Sequence, residues 1–573
     1  MMDSPDHGPL VPRYAGKKVR ILIALVLLGA LFFIPGLGRV HLFDWDEANF
    51  AEASREMLER GDWLRVTIDY QPFYQKPPLF FWLQAIAMKT FGVNEFAARF
   101  VNAACGVATL AVVFTIGSRL FNAVFGLLWT LAFLGSFLPH LFFKSGVIDP
   151  VFNLLIFSGL TLAAKAFMTA DGKSRAVFYA LAGLSIGMAT LAKGPVAMLV
   201  IVLAALVYWV TIRFRRLISV GDAAVFFACT AAVAAVFFGV ETLAHGTDFV
   251  KHFIAYQVTL FSTNESGHGG PIYFHFLVLF AGCFPASFFA LFSFTKRSGD
   301  IDTQRQFSRL MVVLFWVVLV LFSIVKTKTV LYSSLAYFPV TYLAALFLWN
   351  VIQGKRTLSR PFFISLSLFA SFVCIVITLF PVIIIHKEWV VPFIRDRFAV
   401  ACLERPVHWS GFEFLLGIGY ACALAVSLFL FGKRRPLAGA AGLFGSSALC
   451  LFLFMYIFAP KIELYSQGGP IAFYKAHAGG DVYVRALFKS YVDLFYSRRG
   501  PSGNNPLSYD KEWLLRGPID KPAYFVAKIT QSKQCDDSAL GLVRLASEYG
   551  FVYYRRDVPG NVSDMTDRLA AAR

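Results

Sequence analysis

Asp46 and Glu47 stand side by side in the polar segment Asp44-Trp45-Asp46-Glu47, just after the first apolar stretch of the chain. Adjacent carboxylates can act as a general base, hold a divalent cation or bind the hydroxyls of a sugar. They can also do no more than favour the start of a following helix through its dipole. Phe50, Ala53 and Met57 recur at helical spacing, which predicts such a helix over Phe50 to Leu58, lying along a membrane surface with Arg55 on it. Downstream, Tyr74-Gln75-Lys76-Pro77-Pro78 sets a lysine immediately before renewed apolar sequence. The prolines fix a helix start, so Lys76 sits at a lipid-water boundary, where a cation either anchors to head groups or contacts a phosphate. Further polar groups recur at comparable places: Lys144 and Asp149 in one short loop, Lys193-Gly194-Pro195 at a helix break, His268 in the Gly-rich Ser266 to Pro271, and Lys328 with Tyr332. Each alone has a bland reading, an anchoring lysine or a solvated histidine. On one face of a membrane they acquire a joint chemistry: cations stabilise charge developing on a departing phosphate, and a carboxylate orients or deprotonates the attacking group.

The elements that would position these residues are apolar helices. Of 573 residues, 57% are apolar and 15% charged, and the mean hydropathy is +0.63, a balance that excludes a soluble globular chain. Stretches of about 20 apolar residues cross a bilayer core. They are expected at 21–37, 97–119, 122–142, 150–168, 176–192, 195–212, 222–243, 272–294, 309–325, 330–350, 361–385, 411–431 and 437–459, thirteen in all. These runs are apolar on every face rather than alternating, which argues against a β-barrel.

Short-loop Lys and Arg residues orient the spans. Lys17, Lys18 and Arg20, then Lys165, Lys173 and Arg175, then Arg213, Arg215 and Arg216, then Lys296 and Arg297, Lys355 and Arg356, and Lys433 to Arg435 fall in loops of one parity, expected to be cytoplasmic. The net charge of +18 is then a topology signal, and no nucleic-acid partner is implied. With the N-terminus inside and an odd number of spans, 38–95, 143–149, 244–271, 386–410 and 460–573 lie on the outer face. The fold expected is an all-α polytopic membrane domain over 1–459, whose outer loops carry the chemistry, followed by a small α/β domain over 460–573. The first span has no small-x-small site closing it and reads as a retained helix rather than a cleaved signal. A monomer is expected.

Within 460–573, Asp481 to Val484, Ala523 to Ala527 and Phe551 to Tyr554 read as strands, and a helix is expected near Ser538 to Tyr549. Six of the eight cysteines fall in apolar spans and read as small packing residues. Cys402 and Cys535 fall in outer segments where an oxidising exterior would allow a disulfide if their Cα atoms come close enough.

Acids, cations and a histidine gathered at outer helix ends suit a site for a phosphate-bearing lipid and a polar acceptor. A second class of function, a transporter or flippase for a lipid-linked sugar, predicts repeated halves and mid-span ionisable residues, and the chain shows neither. A third, an envelope scaffold, rests on the exported domain alone.

The motifs also resemble a known family. Asp46-Glu47 followed by Ala51-Glu52-Ala53-Ser54-Arg55-Glu56-Met57, then Gly61-Asp62-Trp63 and Gln75-Lys76-Pro77-Pro78-Leu79, is similar to the first outer loop of the aminoarabinose transferase (ArnT-like) branch of membrane glycosyltransferases with the GT-C fold. These are distant relatives of the protein O-mannosyltransferases. The resemblance continues through Asp149, Leu191 to Pro195, His268 to Pro271, and Lys328, Tyr332 and Pro339. It implies inverting transfer of a sugar from a polyprenyl-phosphate carrier to lipid A or another envelope acceptor, at the periplasmic face of a bacterial inner membrane. On that pattern Asp46, Asp149 and Glu47 match the catalytic acids, and Lys76, Lys193, Lys328, Tyr332 and Arg55 match positions near the carrier phosphate. Family members hold zinc through a Glu and the loop His. This chain has Gln75 in place of that Glu and Asn49 where the family has Arg. An amide is a poor zinc ligand, so a divalent metal, zinc or magnesium, is implied only through His268.

Overall fold

The computed structural model describes residues 12–215, 218–263, 269–294, 301–501 and 505–559. Nine helices among them are long and apolar enough to cross a membrane: Glu95–Leu120, Asp149–Phe167, Gly172–Lys193, Val220–His245, Asp302–Ile324, Ser334–Ile352, Arg360–Ile385, Leu415–Gly432 and Pro436–Ser466. The other four expected spans take different forms. The first is a 22-residue helix, α1 (Pro12–Phe33), which begins among Arg13, Lys17, Lys18 and Arg20. That at 195–212 is a helix of 16 residues, Val196–Thr211. The remaining two are broken. Over 122–142 the chain forms Ala123–Leu134 and Phe137–Phe142, and at the break a Cβ on Gly135 would lie 2.3 Å from the Phe444 carbonyl oxygen, so only glycine admits the close approach of Pro436–Ser466. Over 272–294 the break lies at Pro285, which has no N–H to continue the ladder, between Phe274–Gly282 and Ala286–Leu291.

The helices share one apolar core. In its centre Phe157 and Phe338 stack with ring centroids 4.0 Å apart, and the fully buried Trp129 donates its indole N–H to Thr341 Oγ1 at 3.1 Å. A buried indole keeps its apolar area out of water only if that N–H finds a partner.

The first outer segment forms α2 (Asp46–Arg60), a hairpin of β1 (Thr67–Ile68) with β2 (Gln71–Pro72), and α3 (Leu79–Phe91), which leads into α4 (Glu95–Leu120). The sequence predicts that α2 lies on a membrane surface with a polar face in water. Instead every residue from Glu47 to Met57 is buried, because α2 is enclosed by α3, β1 and a helix of the C-terminal region, Val492–Ser497. Its polar side chains find protein partners. Ser54 donates to Gln84 Oε1 at 2.7 Å and Gln84 donates to the Ala98 carbonyl at 2.7 Å, tying α2, α3 and α4 together.

The C-terminal region carries a four-stranded sheet of β3 (Tyr483–Ala486), β4 (Ala523–Lys528), β5 (Val543–Glu548) and β6 (Phe551–Arg556) in the order β3-β4-β6-β5. β3 and β4 are parallel, and the other pairs antiparallel. Of the helix expected near Ser538 to Tyr549, only the single 3-10 turn Ser538–Leu540 is helical, and Val543–Glu548 is the edge strand β5. Tyr549 and Gly550 both have positive φ, 48° and 86°, the two-residue turn that closes a hairpin, and it folds Val543 to Glu548 back on β6 although most of that strand is exposed. The expected boundary at 459/460 lies inside a helix that runs on to Ser466. Cys402 and Cys535 are both free and buried, in separate apolar clusters.

Candidate active site

Asp149 and Lys193 come from the ends of two different helices and meet. Asp149 opens its helix, with Pro150 in the first turn, and Lys193 is the last residue of Gly172–Lys193. Each charge is at the helix end its macrodipole favours. Lys193 Nζ donates to Asp149 Oδ1 at 2.5 Å. The helix ends here because Gly194 takes φ +89°, and a Cβ at this position would come 2.4 Å from the Phe253 ring, so only glycine lets the helix Asp248–Ser262 lie against the lysine.

The pair lines a cavity with Lys76, Asn153, Gln257 and Tyr332, backed by the apolar Phe152, Val196, Val200, Leu260, Phe322, Val325 and Leu335. Lys193 Nζ lies 5.2 Å from the Tyr332 ring centroid and Lys76 Nζ 5.3 Å from that of Tyr256, cation–π contacts that help to place both ammonium groups. Burial and then the neighbouring Lys193 push the Lys76 ammonium down to about 8, with Asp46 and Asp149 opposing that shift. The Tyr332 phenol is held neutral, first by burial and then by Tyr256, Asp149 and Asp46. Asp46 therefore acts on the same field as Asp149, from the first turn of α2, where its side chain is exposed. The cavity is amphipathic, with Lys76, Lys193 and Asp149 among aliphatic and aromatic walls.

Other residues matched by the resemblance are placed elsewhere. Glu47 is buried, and its two oxygens accept from Arg99 Nε and Nη2, each at 2.7 Å, and from the amides of Gly146 at 2.7 Å and Phe43 at 2.8 Å. A carboxylate with four donors around it is a brace, and the geometry does not support the catalytic role expected of it. Arg55 turns toward the C-terminal region. It grips Glu52 through two bonds of 2.7 Å, pairs with Glu59, and donates to the Arg499 carbonyl at 2.7 Å. Lys328 is buried, with its ammonium donating to the carbonyls of Val325 at 2.6 Å and Ser323 at 2.8 Å and lying 3.4 Å from that of Phe322. Those are orphan carbonyls at the end of Asp302–Ile324, so Lys328 caps a helix end whose Phe322 and Val325 line the cavity, and is not itself among the lining residues. His268 lies outside the described residues, and among those described no three His, Cys, Asp or Glu side chains converge.

Sequence reasoning missed Tyr256, Gln257 and Asn153. The first two sit on Asp248–Ser262, read only as part of an outer loop. Gln257 Nε2 is buried without a partner, an unsatisfied donor of the kind that marks a site, but its position on the cavity wall is a product of helix packing. Also missed was the residue before Asp46: Trp45 has φ 74° and ψ −122°, a conformation costing a non-glycine residue of the order of 1–3 kcal/mol.

The family model for dolichyl-phosphate-mannose-protein mannosyltransferase matches residues 75–240, the stretch that holds Lys76, Asp149 and Lys193. The chain is 28% identical over 347 residues to the undecaprenyl phosphate-alpha-4-amino-4-deoxy-L-arabinose arabinosyl transferase of Pectobacterium carotovorum, covering 59% of this chain and 61% of that protein. It is 28% identical over 335 residues to the enzyme of the same name in Edwardsiella ictaluri, covering 57% and 59%. The match thus spans about three fifths of the length of these relatives. The crystal structure of ArnT from Cupriavidus metallidurans bound to undecaprenyl phosphate superposes with a TM-score of 0.73 at 17% identity, over 94% of this chain and 98% of that one. Its apo form gives 0.72. The chain thus shares the fold of ArnT over nearly its whole length and is similar in sequence to the arabinosyl transferases over about three fifths of it.

Proposed function

We propose that this chain is an inverting glycosyltransferase that moves a sugar from a polyprenyl-phosphate carrier to lipid A or another envelope acceptor at the periplasmic face of a bacterial inner membrane. The observation that carries the reading is the cavity in which Lys76 and the Asp149–Lys193 pair stand against an apolar wall. Its chemistry fits a phosphate attached to a prenyl chain, and the solved relative of the same fold is described as bound to undecaprenyl phosphate. Lys76 and Lys193 stabilise the charge left on the carrier phosphate as the glycosidic C–O bond breaks. Asp149 holds Lys193 toward that phosphate. Asp46 orients an acceptor that is already anionic, or takes the proton from one that is a hydroxyl.

In this reading the nine long helices, α1, Val196–Thr211 and the two broken helical pairs make thirteen crossings. The N-terminus is then cytoplasmic and the sheet domain periplasmic. Gln75 is a poor zinc ligand, so transfer is expected to persist in EDTA. Loss in EDTA with recovery on adding zinc or magnesium would establish a metal, with His268 as its first candidate.

The test is mass spectrometry of envelope lipids and glycans from cells lacking the gene and complemented with wild type, Asp46→Asn or Asp149→Asn. A sugar mass that returns only with wild type, at equal protein abundance, supports the reading. Full transfer by Asp46→Asn sinks it, and accumulation of a cytoplasmic carrier-linked sugar with no lost product would indicate a transporter.

A further inference from the structure

We propose that the C-terminal region aims Asp46 through a latch on the strained residue before it, with Asp44 and Tyr496 as positioning residues. The inference rests on the reading of Asp46 as an active-site carboxylate. One side-chain oxygen, Asp44 Oδ1, accepts from the amide of Trp45 at 2.8 Å and from the amide of Tyr491 at 2.9 Å. It joins the residue preceding Asp46 to the chain more than four hundred positions later. Leu42 is held from the same side. Its amide donates to the Tyr496 hydroxyl at 2.7 Å, its carbonyl accepts from Gln467 Nε2 at 2.7 Å, and the Tyr496 hydroxyl donates onward to Glu95 Oε1 at 3.1 Å. Lys489 Nζ sits 4.1 Å from the Trp45 ring centroid.

What these contacts hold is a backbone that would not hold itself. Trp45, at φ 74° and ψ −122°, occupies a region that glycine visits freely and a bulky L-residue rarely does. The Trp45 carbonyl accepts the first helical bond of α2, from Asn49 N at 2.8 Å, so the peptide planes about Trp45 set the direction in which Asp46 leaves the helix start. Freed of the latch, Trp45 relaxes to negative φ and rotates the peptide that carries Asp46. Lys76, Asp149 and Lys193 lie on other elements, which the latch does not touch. Its loss should therefore lower turnover and spare carrier binding, a separation that general destabilisation would not produce.

The experiment uses the full chain, in the cells where the added sugar has been identified, with purified protein for affinity toward undecaprenyl phosphate and for melting. Asp44→Ala is expected to lower the transfer rate at least about tenfold, with carrier affinity within about twofold of wild type. Asp44→Asn, which keeps an oxygen for both amides, is expected to transfer at nearly the wild-type rate. Trp45→Gly added to Asp44→Ala is expected to restore part of the rate, since glycine adopts this φ without strain. Asp46→Asn is run beside them. If it is dead while Asp44→Ala transfers normally, the latch is refuted and the site reading stands; if Asp46→Asn is active, both fall. Should Asp44→Ala not fold, Tyr496→Phe carries the test, and an unchanged rate in that variant refutes the latch.

Discussion

Glu47 and Arg99 meet in a two-point ion pair, Nε to Oε1 and Nη2 to Oε2 both at 2.7 Å, while the neighbouring Asp46 is exposed. Arg99 also donates to the carbonyls of Leu37 at 2.7 Å, Val40 at 2.6 Å and His41 at 2.9 Å. The guanidinium thus gathers the end of the first outer turn onto α4, and Glu47 fixes α2 to the same point. Of two adjacent carboxylates, Glu47 is consumed in construction and Asp46 stands at the exposed start of α2.

Removing one partner of this pair leaves a buried charge without a counterion, which costs about 3–5 kcal/mol. Arg99→Met should lower the amount of folded protein in the membrane, and Glu47→Gln should lower its melting temperature. If Glu47→Gln melts as wild type yet transfers nothing, Glu47 belongs to the reaction after all.

The depressed Lys76 ammonium gives a pH dependence whose sign is fixed. The charged form, which binds a phosphate, prevails below about 8 and is lost above it. Affinity for undecaprenyl phosphate should therefore fall as pH rises through about 8. Lys76→Arg keeps its charge throughout this window and should flatten the profile, and Lys76→Ala should bind weakly at every pH. An unaltered affinity in Lys76→Ala would reduce Lys76 to a lipid anchor.

Lys328 donates to carbonyls at the end of Asp302–Ile324, so Lys328→Met should act on stability. Stranding those carbonyls costs about 1–3 kcal/mol, visible as a lower melting temperature with unchanged carrier affinity. The reverse pattern, weakened binding at unchanged melting, would return Lys328 to the site.

Burial, and then the neighbouring Glu52, push the Glu56 carboxyl up to about 8. A group whose folded pKa is raised contributes stability that is complete below its unfolded value and is lost as pH rises through the folded value. The protein should accordingly melt at lower temperature as pH climbs from about 4.5 toward about 8. Glu56→Gln, neutral throughout and still able to accept from Thr67 and the Tyr70 amide, should remove that slope. An identical slope in the variant would assign it to another group.

Much of the architecture was legible because a membrane leaves few choices. Backbone polar groups in lipid must be satisfied within the segment, so continuous apolar runs could only be helices, and nine of the expected spans appear as such. Where the reading failed, packing across long sequence distances had decided. β5 is a strand because Tyr549 and Gly550 turn it back on β6. α2 is buried all round because the C-terminal region covers it, although its own pattern of Phe50, Ala53 and Met57 is that of a one-sided helix.

The sequence by itself determined the helical class, the sheet-bearing region at the end, and the residue types at the helix ends: Asp149 at a start, Lys193 at a stop enforced by Gly194, and Lys76 before two prolines. These are local properties of charge, backbone freedom and apolar length. Only the tertiary structure decided which of those groups share a cavity, that Lys328 caps a helix, and that Arg99 rather than a substrate occupies Glu47. An ionisable side chain is equally suited to a brace or to a reaction, and the distinction rests on whether folding brings it enough partners to satisfy it.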